Sequence, residues 1–134
     1  MILEFQCLSG GKNPVIGDVW YRFPRCSVAG GERYDHYLCS ALFMTMHTPE
    51  DCAKAMELLD LVQCGESNEE YFGLNDTCVT FGKSGAQVDI MIEDEIGKPE
   101  GRFDLAEFRK AICAWQEFLR KTEASEYVYE VDIS

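Results

Sequence analysis

The chain has 134 residues, of which 46% are hydrophobic and 12% aromatic, a composition typical of a folded globular domain and too apolar for disorder. Acids outnumber bases by 24 to 12, which gives a formal net charge of −12 at pH 7. A field of this sign repels nucleic acid and anionic membranes and attracts basic protein surfaces, so it favours a protein that binds another protein.

The N-terminal third predicts strands. Residues 2–8 alternate apolar and polar side chains, as expected of a half-buried strand, and residues 9–14 have the composition of a loop. A second strand is predicted at 18–23, with Pro24 ending it. Residues 34–46 are ambiguous in periodicity, and we predict a strand there because a helix would have to stop abruptly before the next element.

That next element is a helix at 49–63. Thr48 supplies the N-cap hydroxyl, Pro49 occupies the first helical position, and two acids follow at the positive end of the helix dipole. Three strand-like runs come next, at 70–74, 77–81 and 87–92, and the short turns between them predict a meander of hairpins. In the last run Val88, Ile90 and Ile92 are expected to share the buried face.

A second helix is predicted at 105–121, with Asp104 and Glu107 in a capping-box arrangement. Its apolar residues recur at spacings of three and four, as on a helix face that packs against a sheet: Leu105, Phe108, Ile112, Trp115 and Leu119. Residues 126–133 predict a closing strand. The pattern as a whole predicts one α+β domain over residues 1–134, an antiparallel sheet of about five to seven strands with the two helices on one face.

The negative charge is concentrated in one stretch. Between Lys54 and Lys98 there is one base, Lys83, and there are ten carboxylates: Glu57, Asp60, Glu66, Glu69, Glu70, Asp76, Asp89, Glu93, Asp94 and Glu95. Solubility alone would account for an acidic surface. The clustering instead favours a specific acidic face.

The cysteines predict neither disulfides nor a metal site. Their number is seven, which is odd, and no two form a C-x-x-C pair, as expected of buried thiols in a reducing compartment. His36 with Cys39 and His47 with Cys52 each offer only two of the four ligands of a tetrahedral site, so no metal and no cofactor are expected. With no signal-like segment after Met1 and no apolar run of about 20 residues, a cytoplasmic location is expected.

No catalytic motif stands out. The two histidines come without a G-x-S-x-G sequence, and residues 9–12 lack the spacing of a phosphate-binding loop. The basic residues of the second helix alternate with acids, which is typical of surface ion pairs and disfavours nucleic-acid binding. We therefore predict a protein without enzymatic activity and with no catalytic residues.

The second helix carries a family resemblance. FDLAEFR at 103–109 and WQEFL at 115–119 fit the pattern D/S-L-x-E-F-x-x-x-L-x-x-W-x-x-F-L, with Ile112 where leucine is usual. Over residues 86–133 the chain resembles small bacterial immunity proteins, the cytoplasmic antidotes of polymorphic toxin and contact-dependent growth inhibition systems. The resemblance implies tight binding of a cognate toxin domain, often a nuclease with a basic cleft, at its active site or beside it.

Local charge and aromatic content, not the family, select the residues expected to bind such a partner. Acids and two aromatics form the proposed contact, and three further acids would steer association. The contact residues are Tyr71, Phe72, Asp76, Asp89, Glu93, Asp94 and Glu95, and the steering residues are Glu66, Glu69 and Glu70. The oligomeric state is left open.

Two other functions are alternatives. The first is a small-ligand-binding or regulatory domain whose pocket would be lined by Trp20, Tyr21 and Tyr34. The second is a thiol-dependent enzyme using Cys52, which lies in the first turn of the helix at 49–63, where the helix dipole favours a thiolate. Because Cys52 shares the apolar face of that helix, burial is expected to outweigh the dipole and keep the thiol protonated.

Overall fold

A computed structural model describes residues 1–74, 76–121 and 126–134. Within these residues it contains seven strands: β1 (Ile2–Asn13), β2 (Gly17–Arg25), β3 (Glu69–Leu74), β4 (Thr77–Gly82), β5 (Gly85–Ile90), β6 (Arg102–Phe103) and β7 (Tyr127–Asp132). The helices are α1 (Cys39–Thr45), preceded by a π-helical turn at Tyr34–Leu38, α2 (Pro49–Gln63) and α3 (Leu105–Arg120). The predicted α+β class and number of strands are confirmed.

The strands form two antiparallel sheets, where one was predicted. The first sheet has the order β2-β1-β7 and the second the order β3-β4-β5-β6. The helical segments of residues 34–63 connect β2 of the first sheet to β3 of the second, and α3 connects the second sheet back to β7 of the first. The meander predicted after α2 is confirmed as β3, β4 and β5, and the closing strand as β7, which pairs with β1.

Helix α3 packs on the buried faces of both sheets. In the first sheet, the ring of Phe5 lies 5.0 Å from the ring of Trp115, edge to face. In the second sheet, Phe81 lies 5.9 Å from Phe108 in the same geometry. Phe108, Ile112 and Trp115 are all buried, so the predicted apolar face of this helix is confirmed as part of the core. None of the described helices has the length and hydropathy needed to cross a membrane.

The caps of α2 and α3 follow from local chemistry. Thr48 Oγ1 accepts a hydrogen bond from the Asp51 backbone at 3.1 Å, and the Asp51 carboxylate accepts one from the Thr48 backbone at 3.2 Å. Asp104 accepts from two backbone amides at the start of α3. Glu107 does not complete the second box, because its carboxylate accepts a hydrogen bond from the Tyr34 hydroxyl at 2.9 Å.

The strand predicted at 34–46 is wrong, because this segment is helical. Most of its buried residues recur at helical spacing, namely Tyr34, Tyr37, Leu38, Ala41, Leu42 and Thr45. The abrupt stop that disfavoured a helix does occur. Met46 leaves the helical conformation with φ −121° and ψ 84°, and α2 begins three residues later at Pro49.

The loop predicted at 9–14 is also wrong over most of its length, because β1 continues to Asn13 and pairs with β2 as far as Gly17. A register shift between Ser9 and Lys12 accommodates the two glycines there. A side chain at Gly10 would collide with the ring of Tyr21 on the neighbouring strand. Pro24 does not end β2, since β2 is an edge strand and proline is tolerated there.

Candidate protein-binding surface

The segment that follows β5 gathers acidic side chains at one tight turn, residues 89–96, which we name the acidic turn. Ile90 and Glu95 exchange two backbone hydrogen bonds, each of 3.0 Å, and so close the turn. Asp94 between them has φ 54°, a left-handed conformation that aspartate adopts more readily than most residues. Glu93, Asp94 and Glu95 therefore lie side by side in a turn beyond the end of β5.

Hydrogen bonds connect Asp76 to the acidic turn and join its first residue, Asp89, to the loop that follows it. The backbone carbonyl of Asp76 accepts a hydrogen bond from Met91 N at 2.8 Å, which places Asp76 against the acidic turn. The carboxylate of Asp89 accepts one from Gly97 N at 2.8 Å. The structure thus brings together five of the residues predicted to bind a partner: Asp76, Asp89, Glu93, Asp94 and Glu95.

The other five predicted residues lie elsewhere. Glu69 pairs with Gly82 at one end of the β3–β4 hairpin, and Leu74 pairs with Thr77 at the other end, next to the acidic turn. The two pairs are separated by about 17 Å along the strand. Glu66 precedes the Glu69 end, and Glu70 is half-buried there. Tyr71 is 61% exposed and its hydroxyl donates to the Glu69 carboxylate, whereas Phe72 is half-buried and packs against the core. Phe72 is therefore poorly placed as an anchor for a partner.

Exposed apolar side chains accompany the acidic turn. Met91 is 50%, Ile92 76% and Ile96 56% exposed. The alternation of residues 88–92 predicted that Ile92 would be buried with Val88 and Ile90, but β5 ends at Ile90 and Met91–Glu93 form a 3₁₀ turn. Apolar groups surrounded by charged groups are characteristic of protein interfaces. The sequence pattern did not predict the exposure of Ile92, because it did not show that the strand ends at Ile90.

His36 and Tyr37, both in the π-helical turn, hydrogen-bond to the acidic turn through the carboxylate of Glu95. His36 Nε2 lies 2.5 Å from Glu95 Oε2 and 3.5 Å from Glu93 Oε2. Burial, followed by its hydrogen bond to Glu95, raises the pKa of Tyr37 to about 12. Hydrogen bonds from His36 and then Tyr37 lower the pKa of Glu95. The charge pattern along the sequence does not indicate His36 or Tyr37, because both lie more than fifty positions before Glu93 and Glu95.

The three aromatic residues expected to line a ligand pocket, Trp20, Tyr21 and Tyr34, do not lie around a common cavity. Trp20 and Tyr21 are consecutive in β2, so their side chains point to opposite faces of the sheet. Trp20 lines a cavity of 190 Å³ together with Phe43 and His47. Tyr34 is buried elsewhere, with its ring 5.1 Å from that of Phe103.

The thiol of Cys52 is fully buried on α2. Desolvation raises its pKa to about 12, which confirms the expectation that burial outweighs the helix dipole. Burial also raises the pKa of Cys39. Cys64, by contrast, is exposed at the end of α2.

Thiol labelling tests whether Cys52 can react. In the folded protein at neutral pH, we expect a maleimide to modify Cys64 fast and Cys52 slowly, because Cys52 is both buried and protonated. Mass spectrometry of the labelled peptides measures both rates, and Cys64→Ser is the matched control that should remove the fast phase. Fast labelling of Cys52 in that variant would favour the thiol-enzyme alternative.

Comparison of the chain with protein-family models, with curated proteins and with solved structures finds no match. The geometry and charge of the acidic turn therefore carry the functional argument.

Proposed function

We propose that the chain is a bacterial immunity protein that neutralises a cognate toxin domain by tight protein binding, without catalysis. The observation that carries the proposal is the convergence of Asp76, Asp89 and the three consecutive acids 93–95 on one turn beside exposed apolar side chains. The resemblance of residues 86–133 to immunity proteins supports the same function. The partner would be a domain with a basic surface, such as a nuclease, and the two would meet in the cytoplasm.

The proposed contact assigns different tasks to the charges and the apolar groups. Carboxylates on the acidic turn would attract a basic cleft and occupy the place of nucleic-acid phosphates. Ile92 and Ile96 are exposed beside them and would supply the apolar contact that slows dissociation. Glu66, Glu69 and Glu70, at the far end of β3, would contribute only to the long-range field.

The backbone of the acidic turn is preorganised in the isolated chain. The Ile90–Glu95 hydrogen bonds and the Asp89–Gly97 hydrogen bond fix its path, and His36 fixes the Glu95 carboxylate. A preformed surface loses less conformational entropy on binding than a flexible one. This arrangement suits the high affinity that an antidote requires.

Co-expression tests the proposed function. The probe is the C-terminal domain of a secreted toxin encoded beside the gene for this chain, produced in a sensitive bacterial strain. We expect the toxin domain to stop growth alone and the chain to restore it, with the two proteins co-purifying as a complex. A chain that leaves growth arrested, or a gene with no toxin gene beside it, would contradict the proposal.

A further inference from the structure

We propose that His36, Glu93 and Glu95 form a binding site for a divalent first-row transition metal such as Zn²⁺. One imidazole nitrogen and two carboxylate oxygens from these residues all lie within 4.8 Å of one another. Imidazole and carboxylate together are suitable ligands for Zn²⁺ and its neighbours in the first row. The site is separate from the proposed protein contact in its chemistry, although it shares two residues of the acidic turn.

The spacing of the three ligand atoms requires little change to accept a metal ion. Ligands about 2.0 to 2.2 Å from a tetrahedral zinc ion lie about 3.3 Å from one another. His36 Nε2 and Glu93 Oε2 are already 3.5 Å apart, while the 2.5 Å contact between His36 and Glu95 would open by less than about 1 Å. His36 and Glu93 side chains are 43% and 51% exposed, so they have room to make that adjustment.

The surroundings supply the further features of a metal site. Tyr37 hydrogen-bonds the Glu95 carboxylate, and its ring lies 4.7 Å from that of His36, so one ligand is oriented and another is packed. A cavity of 230 Å³ opens beside the ligands and is lined by His36, Glu93 and Asp76, among others. This cavity gives space for a fourth ligand, either water or the Asp76 carboxylate. Three protein ligands and one open position are the pattern of zinc sites that act on a bound molecule.

Charge balance also favours a cation at this position. Two carboxylates, Glu93 and Glu95, converge on the imidazole of His36. A divalent ion bound at this point would neutralise the charge of both carboxylates.

Calorimetric titration with zinc chloride tests the site in the isolated protein. The background variant is Cys64→Ser, which removes the exposed thiol that would otherwise bind zinc. We expect one zinc ion per chain, and His36→Asn should weaken binding at least about tenfold. His47→Asn is the matched control, since His47 is an exposed histidine outside the cluster, and it should bind zinc like the parent.

A second variant, Glu93→Gln, keeps the test decisive if the His36→Asn variant fails to fold. It alters an exposed carboxylate and should also weaken zinc binding about tenfold or more. The proposal is overturned if the parent binds no zinc, or if both variants bind it as the parent does, and His36 is then only an ion-pair partner of the acidic turn. Because the titration contains no toxin domain, its failure is distinguishable from failure of the proposed function.

Discussion

Replacing Trp115 by alanine is expected to lower the free energy of unfolding by about 3 to 5 kcal/mol. The side chain is 2% exposed, and its ring lies 5.0 Å from Phe5 and 5.4 Å from Phe118. Its indole nitrogen donates a hydrogen bond to the Met46 carbonyl at 2.8 Å, so the variant leaves both a cavity and a buried acceptor without its partner. Domains of this kind are stable by only about 5 to 15 kcal/mol, and denaturant unfolding measures the loss.

Trp20→Ala is the matched control for Trp115→Ala. Trp20 is half-buried at the periphery of the core, so its removal should cost distinctly less than that of Trp115. Two variants with equal losses of stability would contradict the assigned burial. A Trp115→Ala protein that keeps its stability and loses toxin neutralisation would place α3, rather than the acidic turn, at the interface.

The helices that could be predicted are those whose ends are specified locally. Thr48-Pro49 and Asp104 place caps within three residues of the amides they satisfy, and both helices begin where predicted. Residues 34–46 have no such signal, since neither the π-helical turn nor α1 has a side-chain cap. The helical spacing of their buried residues is present in the sequence, but the abrupt stop that a helix would need before α2 disfavoured that interpretation.

The division into two sheets depends on contacts that local patterns do not contain. β1 pairs with β7 across almost the whole chain, with Leu3 opposite Val131. Alternation of apolar and polar residues identifies a strand but leaves its neighbour undetermined. The meander from β3 to β5 was predictable because short turns join consecutive strands.

The site was predictable only where its residues are close in the sequence. Glu93, Asp94 and Glu95 are consecutive, so their clustering required no knowledge of the fold. The same charge pattern could not show that the acids at the start of β3 lie at the opposite end of the sheet from the acidic turn. Their position follows from the register of the strands. His36 was considered only with cysteines nearby in the chain, whereas its observed partners are on the acidic turn.

Reversing charge at the acidic turn is expected to slow association with a basic toxin domain at least about tenfold at low salt. The variant combines Asp76→Lys and Glu93→Lys, each a change of two charges, with Asp94→Asn, a change of one. Asparagine tolerates the left-handed conformation of residue 94. Asp89 and Glu95 are left intact because they hydrogen-bond Gly97 and His36 and hold the turn.

A control variant makes the same total change of charge away from the acidic turn. It combines Glu57→Lys and Glu130→Lys with Asp18→Asn, all at exposed positions on α2, β7 and β2. If the local field of the acidic turn steers binding, this variant should slow association much less than the variant at the turn. Equal slowing by both variants would mean that net charge, and not a particular face, controls the rate.

The salt dependence of the association rate, measured by stopped-flow mixing of the parent chain with the purified toxin domain, tests the central claim most directly. Steering by the acidic turn predicts a rate that falls steeply as the ionic strength rises, and a weaker dependence for the Asp76→Lys/Glu93→Lys/Asp94→Asn variant. A rate that is independent of salt, or a dependence that is the same for parent and variant, would contradict the account.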